Sequence, residues 1–183
     1  MATFTIRTAR ESELETVREL LAVSERRLRS HGVGQWDLPM PDEQLLPSIH
    51  SEETFLVHDG TRDVATVTLN RGGVPFWPAD CTDALFVHRL VVVPRGTGLG
   101  VSILDWAGEQ ARKEGRFWLR IDVWKTNRRL HAYYRNLGFE PRGVTHVPGA
   151  GSGALFARAA DVRVGSGPPV VAHDCDVSAA CPG

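Results

Sequence analysis

Long apolar runs, an excess of charge of one sign and a cysteine framework are all missing from this sequence. Lys plus Arg total 21 against 22 for Asp plus Glu, a formal net charge of -1. So balanced a chain does not advertise a polyanionic partner, and nucleic acid binding is not expected. Hydrophobic residues make up 42% of the chain, but they are dispersed. None gathers into the run of about eighteen or more that a membrane span requires, so no membrane association is expected. Met1–Arg10 lacks a basic segment followed by an unbroken apolar stretch, so a secretory leader is not expected either. The 3 cysteines, Cys81, Cys175 and Cys181, are odd in number and widely spaced. That excludes a paired disulfide framework and a four-ligand zinc site, and suits a reducing cytoplasm. The nearest approach to a metal cluster, His173-Asp174-Cys175 with Cys181, lies in a stretch rich in Gly, Pro and Ala. Ligands need a rigid supporting shell, so no metal is expected.

The 183 residues suffice for one domain with a substantial core. Phe4–Arg7 reads as an opening strand. Ser12 with Glu15 has the spacing of a capping box, ahead of Leu14, Val17, Leu21, Ser24 and Leu28 at helical period. Glu15, Arg18, Glu19, Arg26 and Arg27 are left for the solvent face, and the helix is expected to stop near His31-Gly32. A short helix over Asp42–Ser51 follows, then a hairpin of Thr54–His58 and Val64–Leu69 about Asp59-Gly60. Ala84–Val93 has the continuous apolar character of a central strand. Val101, Leu104, Ala107 and Ala111 mark the inner face of a helix ending near Gly115. Phe117–Val123 is a strand, Leu130–Leu137 a helix, and Phe139–Val147 with Ala154–Ala159 a closing hairpin. The expected organisation is a domain over residues 1–160 and a flexible Gly/Pro/Ala-rich tail over 161–183. The order of elements gives an α/β fold, a mixed sheet with helices on both faces.

Chemistry enters at Arg95-Gly96-Thr97-Gly98-Leu99-Gly100, between a buried strand and an amphipathic helix. Glycines there let backbone N–H groups approach an anion unobstructed, and the helix start adds unpaired donors, so a diphosphate is the expected ligand. Arg95 can add a charge-assisted contact. The same glycines would also serve a plain tight turn. A dinucleotide site is a further reading, because Asp122 falls about twenty residues on. However, two helices and three strands precede the turn and only about one βαβ unit follows, and the spacing is G-x-G-x-G.

These residues resemble the GCN5-related N-acetyltransferases, whose coenzyme A loop reads Arg or Gln, two residues, Gly, one residue, Gly or Ala. Arg95, Gly98 and Gly100 fit that loop, and Leu90-Val91-Val92 fits the Leu-x-Val that ends the preceding strand. Asn127, Tyr134, Gly138 and Phe139 match a later helix that begins near Asn and ends with Tyr, three residues, Gly-Phe. The likeness spans about Phe4–Ala159 and is densest over Leu85–Phe139. Only Val93 and Pro94 separate Val92 from Arg95, a shorter loop than the family pattern.

The resemblance implies a mostly antiparallel sheet and acyl transfer from acetyl-CoA, or another acyl-CoA, to an amine. It places the cofactor against Leu90, Val91, Val92, Arg95, Gly96, Thr97, Gly98, Leu99, Gly100, Asn127 and Tyr134. A homodimer is compatible with it. An alkylamine has a pKa of about 10 and needs a base to attack a thioester. His88, two residues before Leu90, is the candidate, with Asp122 as reserve base or orienting group; a histidine packed in the sheet is the competing reading. Tyr134 is the candidate acid for the leaving thiolate, although Leu130, Tyr133, Tyr134 and Leu137 share a face that packing alone would explain. Gln35, Trp36, Phe76, Trp77 and Trp124, with His88, are the candidate acceptor contacts. A non-catalytic acyl-CoA-binding module has the same loop and is the alternative to an enzyme.

Overall fold

The computed structural model describes residues 3–29, 40–72 and 74–173. The elements are β1 (Phe4–Thr8), a 3-10 turn (Glu11–Glu13), α1 (Leu14–Arg29), α2 (Asp42–His50), β2 (Thr54–His58), β3 (Asp63–Asn70) and β4 (Ala84–Val92). They continue as α3 (Leu99–Lys113), β5 (Trp118–Trp124), α4 (Arg128–Asn136), β6 (Glu140–Val144), β7 (Ser152–Ala159) and β8 (Val170–Ala172). One eight-stranded sheet has the order β6-β7-β5-β4-β3-β2-β1-β8. Its neighbours are antiparallel except for β4 with β5 and β1 with β8.

Successive strand residues face opposite sides of the sheet, and each side has its own core. Leu56 and Val91 pack with Val17, Leu20 and Leu21 of α1 and Leu45 and Ile49 of α2. On the other side Val57, Leu85, Val87 and Ile121 pack with Ile103, Leu104, Ala107 and Ala111 of α3 and Tyr134 of α4. Val17 and Leu21 of α1 and Val101, Leu104, Ala107 and Ala111 of α3 are buried as their helical periods require, and α1 buries Leu20 and Glu25 besides. At the start of α1 the pattern does not choose the cap: Glu13, not Glu15, accepts the backbone N–H of Arg10 at 2.9 Å. Glu15 instead pairs with Arg18. The expected stop at His31-Gly32 lies outside the described residues.

Two irregularities in β4 open the sheet. Thr66 faces Val91 and Thr68 faces His88, so Arg89 and Leu90 together stand opposite Val67. This is a β-bulge, and Arg89 occupies it with φ of 50°. Parallel pairing of β4 with β5 is confined to Ala84–Phe86 against Trp118–Arg120. Beyond it the two strands part, and the backbone around the bulge faces a gap rather than a partner strand.

The segment after Asp161, expected to be a flexible tail, is bound to the domain as far as His173. Val164 and Gly165 donate backbone N–H bonds to the Asp105 carboxylate, Gly165 at 2.8 Å. β8 then runs parallel to β1, with Phe4 opposite Val170. Composition misleads here because much of the anchoring is by main chain, which every residue type carries, with Val164 and Val170 adding apolar contacts to the core. Asp105 also pairs with Arg158, 1% exposed, at 3.3 Å. Arg158 further donates to the carbonyls of Leu104 at 2.8 Å and Leu137 at 3.3 Å, joining β7 to α3 and to the end of α4.

Candidate active site

Where β4 and β5 part, two cavities meet. One, of about 820 Å³, is lined by Leu90, Val92, the run Pro94–Val101, Asn127 and Tyr134. The other, of about 630 Å³, is lined by Phe76, His88, Arg89, Asp122, Trp124 and Tyr134. Ser24, Leu90, Leu130 and Tyr134 line both. The gap therefore joins a glycine-walled cavity to one that holds titratable side chains.

In the larger cavity the chain turns from β4 into α3 with Gly96 at φ 71° and Gly98 at φ 73°, a conformation that a β-carbon resists. Gly98 is also the residue before α3 and offers no side chain to the helix's first N–H groups. The Leu99 N–H goes to the Thr97 hydroxyl at 3.3 Å and the Val101 N–H to the Gly98 carbonyl at 3.0 Å, so it is mainly the positive end of the helix that favours an anion here. Arg27, Arg95 and Arg129 line this cavity, and among the described residues no carboxylate does. The donor set suits a multiply charged phosphate ligand. Gly98 serves a second purpose: a β-carbon there would stand 3.1 Å from Gly167 Cα, so the C-terminal segment lies directly against the turn. A β-carbon at Gly100 would stand 3.1 Å from the Tyr133 hydroxyl. Asn127 caps α4 by accepting the Leu130 N–H at 3.0 Å. Of the expected Leu-x-Val residues, Leu90 and Val92 line the cavity, whereas Val91 points into the α1–α2 core.

In the smaller cavity His88 Nδ1 lies 3.4 Å from Asp122 Oδ1. Ser152 donates its hydroxyl to the other oxygen of Asp122 at 2.6 Å, fixing the carboxylate. His88 Nε2 is buried and has no hydrogen-bond partner among the described residues. Burial drives the pKa of His88 below the ordinary histidine value; Asp122 opposes this by favouring the imidazolium, and Arg89 reinforces it. A neutral imidazole with a free nitrogen at neutral pH is a competent base. Tyr134, 9% exposed, packs edge-on against Tyr133 and Phe139. Burial, helped by Tyr133 and Asp122, raises its pKa well above that of an ordinary phenol, so it stays a donor throughout the neutral range.

Of the expected acceptor contacts, Phe76 and Trp124 line the smaller cavity with His88. Trp77 lines neither cavity. It packs on Phe86 with centroids 6.1 Å apart and lies beneath the Arg120 guanidinium at 5.1 Å, so the expectation for Trp77 is not met. Gln35 and Trp36 lie outside the described residues. Arg27, assigned to the solvent face by its period, instead donates to the Val92 and Val93 carbonyls at 3.1 and 2.7 Å. Arg89, Arg129 and Ser152 carry no motif and are visible only once the strands part.

No family model matches the chain. An uncharacterized N-acetyltransferase, YesJ, of Bacillus subtilis is 26% identical over 141 residues, 72% of this chain and 78% of that protein. An acetyltransferase of the GNAT family from Listeria monocytogenes superposes with a TM-score of 0.70 at 18% identity, over 85% of this chain and 94% of that one. The aminoglycoside acetyltransferase AAC(6')-Ib, solved with coenzyme A and kanamycin, gives a TM-score of 0.65 at 20% identity, again over 85% and 94%. The dinucleotide-enzyme reading fails on topology, since β2, β3 and β4 form an antiparallel meander where that fold needs parallel βαβ units. In sequence the chain is similar to an N-acetyltransferase, and it shares the fold of the GNAT-family acetyltransferases, with two motifs in the order that the family resemblance implies.

Proposed function

We propose that this chain transfers an acetyl group, or a related acyl group, from acyl-CoA directly to the primary amine of a small molecule. The observation that carries the reading is the meeting of the two cavities at Tyr134, with His88 on one side and the glycine turn on the other.

Gly98, Gly100 and the first turn of α3, with Arg95 and Arg129, would hold the coenzyme A pyrophosphate, and Leu90, Val92 and Asn127 the arm that leads to the gap. Acyl-CoA supplies the thioester carbonyl and the thiolate leaving group. His88 takes a proton from the ammonium or the attacking amine, Asp122 stabilises the imidazolium that results, and the Ser152 hydroxyl keeps Asp122 in place. As the N–C bond forms and the C–S bond breaks, the Tyr134 hydroxyl meets the charge developing on sulfur. Its raised pKa keeps the proton on the phenol, so its main contribution is a donated hydrogen bond to the departing thiolate. Where the thiol leaves with that proton, the phenolate regains one from solvent and the His88 imidazolium releases the amine's proton to solvent. Both roles use side chains the fold has already immobilised, so little reorganisation accompanies the reaction.

Thiol release from acetyl-CoA against a panel of amines tests the reading. Tyr134→Phe keeps the ring packing and removes the hydroxyl, so turnover should fall about 10²-fold with little change in thermal stability. Full turnover by Tyr134→Phe would remove the acid. Coenzyme A binding without thiol release under any amine would favour the non-catalytic module.

A further inference from the structure

The smaller cavity contains a cation that the proposed acyl transfer does not use. Arg89 sits in the β4 bulge at φ 50°, a conformation uncommon for a residue with a side chain. Strain of this kind persists where the surroundings demand it, and it clusters at binding sites. The side chain is half-buried and lines the cavity beside His88. No carboxylate lies within ion-pairing distance among the described residues. Its two bonds go to neutral acceptors, the Gln44 carbonyl at 2.8 Å and, at a long 3.5 Å, the Ser48 hydroxyl.

A guanidinium has five N–H groups, so most of Arg89's donors are uncommitted in a cavity where burial already disfavours its charge. A desolvated cation is normally paired. Arg29, which lines the same cavity, is held by Glu25 at 2.7 Å and adds a second positive group. Asp122 is the only acid lining the cavity among the described residues, and it is committed to His88 and Ser152. A polyamine or aminoglycoside would need acids for its further ammonium groups and finds arginines.

We infer that the acceptor is an amine that also carries a carboxylate, bound through that carboxylate by Arg89 while its amine faces His88. The inference rests on the acyl-transfer reading and adds the chemical class of the acceptor. Phe76 and Trp124 supply apolar walls for the remainder of such a molecule. A planar fork of donors matches a carboxylate in a way that one ammonium does not.

The test compares amino acids with their own carboxamides and decarboxylated amines as acceptors in the thiol-release assay, using the full chain and acetyl-CoA. The acid should exceed its amide in kcat/KM by about 10- to 100-fold, the range for one charge-assisted contact. Arg89→Gln should bring that ratio to about one, and Arg89→Lys should retain part of it. Calorimetric binding of N-acetylated amino acids and their amides, with coenzyme A present, reads the same contact without turnover. Turnover of amides, simple amines or polyamines in preference to acids, or equal binding of acid and amide, would overturn the acceptor class while leaving acyl transfer intact. Absence of thiol release from every acceptor, with acids still bound more tightly than amides, would overturn the catalytic reading alone.

Discussion

Asp105→Ala should be among the most damaging single changes outside the cavities. Asp105 is 8% exposed and Arg158 1% exposed, so neither can turn to water when the other is lost. Burial disfavours the Arg158 charge, and the Asp105 carboxylate offsets this. The two carbonyl bonds that remain to Arg158 carry no net charge. Breaking a buried pair on one side costs about 3–5 kcal/mol, because the remaining charge stays buried and uncompensated. The same substitution orphans the N–H groups of Val164 and Gly165. For a chain of this size each kcal/mol lowers Tm by about 2–4 °C, so a fall of roughly 6–20 °C is expected. Thermal and urea unfolding measure it. The double variant Asp105→Leu with Arg158→Met removes both charges and should recover a large part of the loss. A fall below about 1 kcal/mol for Asp105→Ala, or a double variant no better than the single one, would refute the reasoning.

Gly167→Ala places a β-carbon 2.1 Å from the Ser102 hydroxyl and 2.4 Å from the Gly98 carbonyl; it should loosen the glycine turn and weaken coenzyme A binding, and unchanged affinity by calorimetry would separate the turn from the C-terminal segment. If the proposed base is the neutral imidazole of His88, whose pKa burial lowers, the acidic limb of log kcat/KM should lie below the ordinary value of 6.5. Asp122→Asn, which removes the group favouring the imidazolium, should move it further to the acid side, and movement toward alkaline pH would count against the pair. Ending the chain at Asp161 should lower Tm by several degrees, by removing β8 and the Asp105 contacts; an unaltered melt would show the segment to be dispensable.

The sequence was informative where function coincides with local pattern. The glycine turn between an apolar strand and an amphipathic helix is a local device, and so is the Asn127-to-Phe139 helix. Both are found where their spacing places them. Trp77 failed because exposure of a tryptophan has no local signature, and Phe86 with Arg120 had already taken its ring. Arg89 and Ser152 escaped because their roles depend on a bulge and on the register of two distant strands, where a shift of one residue would reverse the face each presents. The C-terminal segment escaped because it docks largely through main-chain groups, which every residue type carries.

β8 is only three residues long, yet it decides what the sheet offers to other chains. β1 is a five-residue strand of the sequence FTIRT, regular and rich in β-branched residues, and without β8 its outer N–H and C=O groups would form an open template for another strand. The opposite border is blunted differently, since β6 contains Pro141, which has no N–H, and a bulge beside Gly143 at φ 111°. Both margins are therefore poor sites for strand addition. Two copies of this protein would join through helices or loops, not by continuing one sheet into the next, and trimming the C-terminal segment to aid crystallisation would expose the margin most prone to aggregate.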